Sequence, residues 1–251
     1  MNPFSLASNA ALVTGSSQGI GLALALGIRA AGARVVFHGH NPRPADIATE
    51  SSYLQADLLD PTAPAKLVAD AFAAEPGLDL LVCNAGTFID TSFLATDLAR
   101  WERTINLNAR ATYFVAQAFS RELIARQRSG AMVLTSSTNG FQPEDDSTVY
   151  DSSKGAVVMM TRTLAQNLAA HRIRVNGLAP GLIRTPLTAS GIDASPEKRA
   201  LYEKKILQGR IGDPGDCVGA AVFLLSPASS YITGQILIVD GGLTLGQIGR
   251  L

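Results

Sequence analysis

The sequence predicts an α/β fold: a doubly wound parallel sheet of about seven strands, with helices on both faces, in a single domain over residues 1–251. Three observations lead there. Seven short apolar or β-branched runs recur along the chain, and longer helical patterns fall between them. No Pro/Gly/Ser-rich linker, internal repeat or low-complexity tract divides the chain. Strand and helix signals in strict alternation favour parallel strands joined by right-handed crossovers.

The strand-like runs are Ala10–Thr14, Arg34–Phe37, Tyr53–Ala56, Leu78–Cys83, Met132–Thr135, Ile173–Leu178 and Ile236–Val239. Most are apolar on both faces, as strands covered from both sides should be. The helical patterns are Ile20–Ala31, Ala63–Ala74, Leu98–Arg126, Tyr150–Ala170, Pro196–Gln208 and Pro214–Leu225. In the fourth, Val157, Val158, Thr161, Leu164, Ala165 and Leu168 recur at helical spacing and form one stripe for burial. Punctuation at Pro180-Gly181 and Asp213-Pro214-Gly215 brackets a polar stretch, 184–214, expected to be a mobile lid over a substrate.

Composition narrows the function classes. Hydrophobic residues make up 47% of the chain and charged residues 17%, which at this length implies a substantial core. The formal net charge is zero and no basic block occurs, so a face for nucleic acid is not expected. Cys83 follows Leu80-Leu81-Val82 and reads as core, and two lone thiols, Cys83 and Cys217, suit a reducing compartment. The segment from Met1 to Ala11 lacks the basic stretch and apolar run of a secretory signal, and no run reaches membrane-spanning length. A cytoplasmic protein without membrane or nucleic-acid partners is the expectation. The histidines are His38, His40 and His171, with no clustered Cys or acid to complete a metal site, so none is expected.

The first run leads directly into Thr14-Gly15-Ser16-Ser17-Gln18-Gly19-Ile20-Gly21, where a helix begins. The physics parallels the Rossmann-type dinucleotide turn, although the spacing here is Gly-x-x-x-Gly-x-Gly. One glycine makes the tight turn, one lets a pyrophosphate approach the backbone, and one lets helix and sheet pack closely. Free N–H groups at the helix start favour phosphate charge. The second strand ends Phe37-His38-Gly39-His40-Asn41-Pro42-Arg43, with no acid before Asp46. An acid there would hold the ribose of NAD. Gly39 is read as leaving space for a 2′-phosphate, with His40, Asn41 and Arg43 in reach of it. NADP(H) is favoured and NAD(H) remains open, because Gln18 brings no positive charge to the turn. His38 and His40 are otherwise a solvated strand end.

Tyr150-Asp151-Ser152-Ser153-Lys154 opens the fourth helical pattern. Residues four apart share a helix face, so the Lys154 ammonium can lie beneath the Tyr150 hydroxyl. A free tyrosine has a pKa of about 10. A cation about 4 Å away at an effective dielectric of about 20 favours the phenolate by about 4 kcal/mol, roughly three pKa units. That shift would poise Tyr150 for acid/base work near neutrality.

Taken together, the glycine turn, Asn84-Ala85-Gly86 after strand four, Ser136-Ser137 after strand five, Tyr150-x-x-x-Lys154 and Pro180-Gly181 after strand six resemble the single-domain short-chain dehydrogenases/reductases. The motifs fall in that family's order from about residue 10 to Gly242. The resemblance implies a hydride-transferring oxidoreductase with a small carbonyl or secondary alcohol as substrate. It implies that Ser137 polarises the substrate oxygen, that Tyr150 is the general acid/base, and that Asn108 helps hold an ordered water leading to Lys154. It also implies that Gly15, Ser17, Gln18, Gly19, Ile20 and Gly21 receive the cofactor phosphates. Gly39, His40, Asn41, Asp57, Leu58, Asn84, Ala85 and Gly86 would face the adenosine half. Lys154 and Tyr150, with Pro180, Gly181, Ile183 and Thr185, would face the nicotinamide half. A homotetramer is implied as well, with Val239-Asp240-Gly241-Gly242 as a contact segment.

Substrate identity falls to the 87–96 loop, the 138–149 segment and 184–214. Pro143-Glu144-Asp145-Asp146 is acidic; it either receives the hydroxyls of a sugar or polyol or points into water. Phe88, Phe93 and Phe141 are candidates for an apolar wall, and Leu243 to Ile248 for a reach to a neighbouring subunit. The competing reading is a non-enzymatic dinucleotide sensor or scaffold on the same fold. The set Ser137, Tyr150 and Lys154 speaks against it, since a sensor has no use for a tuned phenol.

Overall fold

All seven strand-like runs form strands in the computed structural model, which describes residues 2–246. The strands are β1 Ala10–Val13, β2 Arg34–Gly39, β3 Tyr53–Gln55, β4 Leu80–Cys83, β5 Gly130–Thr135, β6 Ile173–Pro180 and β7 Ile236–Val239. They make one sheet in the order β3-β2-β1-β4-β5-β6-β7, and every pairing is parallel. The chain winds outward from β1 to β3, then returns to place β4 against the other side of β1. That reversal opens a crevice at the carboxyl ends of the strands, where ligands of such sheets bind.

The helices are α1 Gly19–Ala30, α2 Ala63–Ala74, α3 Leu98–Ile105, α4 Thr112–Ala125, α5 Thr148–Leu168, α6 Ala189–Ile192, α7 Pro196–Lys205 and α8 Val218–Leu225. Side chains alternate along each strand, so β1 sends Ala10 and Leu12 to one face and Ala11 and Val13 to the other. The first face packs on α2, α4 and α5 through Leu67, Phe72, Phe119, Leu123 and Val157. The second packs on α1 and α8 through Leu24, Ile28, Ala221 and Leu224. Of the predicted α5 stripe, Val157, Val158, Thr161, Ala165 and Leu168 are buried and Leu164 is partly buried. Cys83 and Cys217 are both buried, and burial pushes both thiols up. Among the described residues no helix is long and apolar enough to cross a membrane.

Two expectations need correction. The pattern Leu98–Arg126 is not one helix: a π-helical segment, Asn106–Ala111, separates α3 from α4. Hydrophobic periodicity does not register one wide turn, and such turns cluster at functional positions. Pro214–Leu225 begins as a 3₁₀ turn, Pro214–Cys217, before α8. The polar stretch 184–214 is folded: α6 and α7 enclose a small core of Ile192, Ile206 and Ile211, with Leu182, Tyr202 and Leu243 against it. Gln247 and Ile248 of the predicted tail contact lie outside the described residues.

Arg174 of β6 anchors the C-terminal end of α8. Its guanidinium donates to the carbonyls of Leu224 (2.9 Å), Leu225 (3.1 Å) and Ser226 (3.2 Å) and to Ser229 Oγ (2.8 Å). These are the carbonyls a helix end leaves without intrahelical partners. Arg174→Met should cost about 2 kcal/mol, the size expected for charged hydrogen bonds lost from a helix terminus. Thermal melting checks this; an unchanged midpoint would remove Arg174 from the fold's supports.

Candidate active site

The turn after β1 and the loop after β4 meet at the reversal. Gly15 has φ +64°, and a β-carbon on it would stand 2.7 Å from Ala85 Cα. A side chain on Gly21 would overlap the Gly15 carbonyl oxygen and the Asn84 amide. Only glycine fits there. Asn84 Nδ2 donates to the Gly15 carbonyl (3.2 Å), and Thr14 Oγ1 accepts from the amides of Asn84 (3.0 Å) and Ala85 (3.2 Å). Gln18 precedes α1 in extended conformation and makes no side-chain cap, and the first turn carries no acid. The first-turn N–H groups of a helix have no intrahelical partner, so this end is a place for an anionic phosphate. Gly19 lies beside the loop after β6; a β-carbon on it would come 3.4 Å from Thr185. The glycines thus shape a cradle that side chains would fill, and it fits the pyrophosphate of a dinucleotide.

The adenosine end differs from the sequence reading in several places. Gly39 does not leave open space: the Tyr53 hydroxyl and Ser17 occupy the position its side chain would take. Tyr53 Oη donates to the Asn41 carbonyl (2.6 Å) and so supports the loop after β2. The Arg43 guanidinium donates to the carbonyls of Ala48 (2.7 Å) and Thr49 (2.6 Å), which turns it from the expected phosphate contact. His40 is exposed, with Nδ1 3.7 Å from Asp57 Oδ1. Leu58 is buried in the core, so only its main chain can face a ligand. The same holds for Ile183, which packs under the sheet and whose carbonyl accepts from Thr188 Oγ1 (2.6 Å). Pro180 ends β6, and the Gly181 amide donates to the Val239 carbonyl (2.9 Å). His38 is no solvated strand end; it is buried, at 2% exposure.

The four residues assigned to chemistry gather where β4 and β5 end. Ser137 follows β5 in extended backbone, Tyr150 stands in the first turn of α5, and Lys154 lies one turn further. Lys154 Nζ is 5.6 Å from the centre of the Tyr150 ring and donates to the Thr135 carbonyl (2.9 Å). Asn108, from the π-helical segment, is buried and fully engaged. Its amide donates to the Thr87 carbonyl (3.0 Å) and Ser153 Oγ (3.0 Å), and its Oδ1 accepts from the Thr87 amide (2.8 Å). Ser153 Oγ donates in turn to the Tyr150 carbonyl (2.6 Å). A β-carbon on Gly86 would press on Asn108 Oδ1 at 3.0 Å, so glycine allows the β4 loop to close on this group. Phe88 meets Tyr150 edge-on, with ring centres 4.8 Å apart, whereas Phe93 and Phe141 are exposed.

The electrostatics reverse the local estimate. Burial pushes the Tyr150 phenol up to about 12; a hydrogen bond with Ser137 opposes this, while Glu144 and Asp151 reinforce it. Burial brings the Lys154 ammonium down to about 8. Helical spacing does bring the lysine to the ring, but the desolvation of both groups outweighs the attraction.

Sequence reasoning missed four side chains that organise the site: His38, Tyr53, Asn139 and Ser153. The Asn139 amide donates to Asp151 Oδ1 (2.8 Å) and Glu144 Oε2 (3.0 Å), and its backbone N–H donates to Ser137 Oγ (3.2 Å). Part of the acidic stretch therefore serves to hold the turn after Ser137. The only signal for Asn139 was its place two residues after Ser137. Tyr53 and His38 read as strand residues, and nothing local marks them.

Known proteins match both the sequence and the fold. The family model described as enoyl-(acyl carrier protein) reductase matches residues 15–244. The 3-oxoacyl-[acyl-carrier-protein] reductase FabG of Aquifex aeolicus is 34% identical over 95% of this chain and 98% of its own. The galactitol 2-dehydrogenase (L-tagatose-forming) of Cereibacter sphaeroides is 36% identical over 96% of this chain and 97% of its own. A crystal structure of a gluconate 5-dehydrogenase from Burkholderia cenocepacia, in complex with NADP and tartrate, superposes with a TM-score of 0.91. It is 33% identical over 97% of this chain and 98% of that one.

The buried lysine has a measurable consequence. A lysine lowered to about 8 in the fold from 10.5 binds fewer protons folded than unfolded between those values, so its contribution to stability rises with pH across that window. Relative to Lys154→Met, the wild-type protein should therefore gain unfolding free energy from pH 8 to 10. Denaturant titrations at a series of pH values check this; a parallel pH dependence in the two proteins would refute the burial of a charge at Lys154.

Proposed function

The chain belongs to the short-chain dehydrogenase/reductase family of oxidoreductases acting on CH–OH and C=O groups, and from that premise we propose that it reduces a small carbonyl compound of the sugar or polyol type with NADP(H). The observation that carries the proposal is the meeting of Ser137, Tyr150, Lys154 and Asn108 beside a glycine cradle fit for a dinucleotide. Galactitol and gluconate are the substrates named for two of the relatives, which supports the sugar class.

Residues 15–21 would hold the pyrophosphate, and the loops at Asp57 and Asn84–Gly86 the adenosine half. Tyr150, Lys154, the main chain at Pro180–Ile183 and the Thr185 side chain would hold the other half. When bound, the nicotinamide supplies or accepts the hydride. With its phenol raised, Tyr150 keeps its proton at neutrality and serves as the donor to the substrate oxygen. An alkoxide is a stronger base than a phenolate, so donation runs downhill even from a raised phenol. The Ser137 hydroxyl, which donates to Asn139 Oδ1 (3.3 Å), would turn to donate to the same oxygen. The Lys154 charge near the ring face stabilises the phenolate that remains after donation. Alcohol oxidation is the reverse and needs the phenol ionised first, so its rate should rise with pH.

The segment 184–214, with α6 and α7, is proposed as the substrate lid, since it follows the β6 loop that meets Gly19. A homotetramer is proposed too. Leu98, Trp101, Tyr113, Phe114 and Met159 expose apolar surface on α3, α4 and α5, as a buried subunit contact requires.

Tyr150→Phe should reduce turnover by about a hundredfold or more, the scale of general acid catalysis, while NADPH binding, which loses only one of its contacts, changes far less. A nicotinamide absorbance assay over sugars, polyols, ketones and 3-oxoacyl thioesters provides the readout. Full activity in that variant would remove Tyr150 from the chemistry, and turnover of 3-oxoacyl thioesters alone would remove the sugar class. Fluorescence titration should show NADPH binding more tightly than NADH, with the preference reduced by His40→Asp, which sets a second carboxylate beside Asp57. A clear NADH preference in the wild type would refute the cofactor assignment.

A further inference from the structure

We infer that His38 is a positioning residue of the dinucleotide site, a neutral imidazole that ties the glycine turn to the loop at the adenosine end; this rests on the reading that the cradle takes a nicotinamide dinucleotide. The ring stands on β2 between two neighbours. Its Nδ1 accepts from the Gly15 amide (3.1 Å), and its Nε2 lies 3.2 Å from the Ala56 carbonyl. A carbonyl can only accept and a backbone amide can only donate. The two contacts together therefore require a proton on Nε2 and none on Nδ1.

The partners give the ring its meaning. Gly15, at φ +64°, has left the β1 ladder, and its amide has no strand to pair with. Ala56 immediately precedes Asp57 and Leu58, which begin the loop at the adenosine end. The backbone of His38 completes the attachment: Ser16 Oγ accepts from the His38 amide (2.9 Å), and the His38 carbonyl accepts from the Ser16 amide (2.8 Å). The turn that would bind phosphate is thus sewn to β2 through these three bonds, of which one depends on the His38 ring and one on the Ser16 hydroxyl. An apolar residue in its place would fill the volume but leave the half-buried Gly15 amide without its acceptor.

A charged ring would oppose two donors at Gly15. Burial, reinforced by His40, lowers His38 to about 4, while the Ala56 carbonyl works in the other direction. Asp57 is the nearest acid in sequence on the packed loop, and it faces His40. The ring therefore stays neutral, and the contact is a constant of the site.

Two isosteric variants separate the bonds: His38→Asn places an acceptor near the Nδ1 position, and His38→Gln places an amide near Nε2. NADPH binding would be followed by fluorescence for the wild type, both variants and His38→Ala, with kcat measured at saturating NADPH. His38→Ala should weaken NADPH binding by about tenfold or more, the scale of a lost buried hydrogen bond, with kcat nearly unchanged. His38→Asn should recover most of the loss, and His38→Gln less. Nitrogen-15 spectra of the ligand-free wild type should show the ring protonated on Nε2 at pH 7. Wild-type affinity in His38→Ala, equal affinity in Asn and Gln, or a proton on Nδ1 would each overturn the inference. Should His38→Ala fail to fold, the order of Asn over Gln and the ring tautomer still decide. A wild type that binds neither NADPH nor NADH would defeat the functional reading itself.

Discussion

The contact between the turn after β1 and the loop after β4 is the constraint on which the rest of the crevice depends. It exists because the chain reverses its winding direction there, so two loops from adjacent strands leave the sheet side by side. They can close only where Gly15 and Gly21 carry no side chains, with Thr14 and Asn84 supplying the polar links. The phosphate end of α1 is fixed by this closure, and so is Gly86, which brings the same loop down on Asn108 and Lys154. Cofactor cradle and catalytic group are two ends of one packed unit.

Within that unit the polar groups are costly. Lys154 is a buried amine with a single carbonyl partner, and Asn108 is a buried amide held by three hydrogen bonds. A core of apolar side chains would be the more stable solution at these positions. The π-helical turn between α3 and α4 belongs to the same compromise, since it widens the helix where Asn108 must reach both Thr87 and Ser153. Stability spent here holds a phenol, a serine and an amine in fixed relation.

Much of the fold was legible because it rests on local and periodic signals. Apolar runs such as Ala10–Val13 and Leu80–Cys83 can be buried on both faces only inside a covered sheet, and the stripe from Val157 to Leu168 can only be one side of a helix. The Tyr150–Lys154 spacing likewise follows from helix geometry. What was not legible depends on neighbours distant in sequence. The space beside Gly39 belongs to Tyr53, the Arg43 guanidinium goes to the carbonyls of Ala48 and Thr49, and the ring of His38 joins residues that follow two other strands. The Gly39 and His38 pairs lie on different strands, and even the Arg43 contact five and six residues on depends on a loop whose course no periodicity sets.

The sequence by itself determined the alternation of strands and helices, the glycine turn, and the face shared by a phenol and an amine, because backbone sterics and side-chain periodicity act over a few residues. Only the tertiary structure decided how those groups titrate and which polar atoms are already engaged. Desolvation depends on everything that surrounds a group, and it raised the Tyr150 phenol where the nearby charge alone would have lowered it.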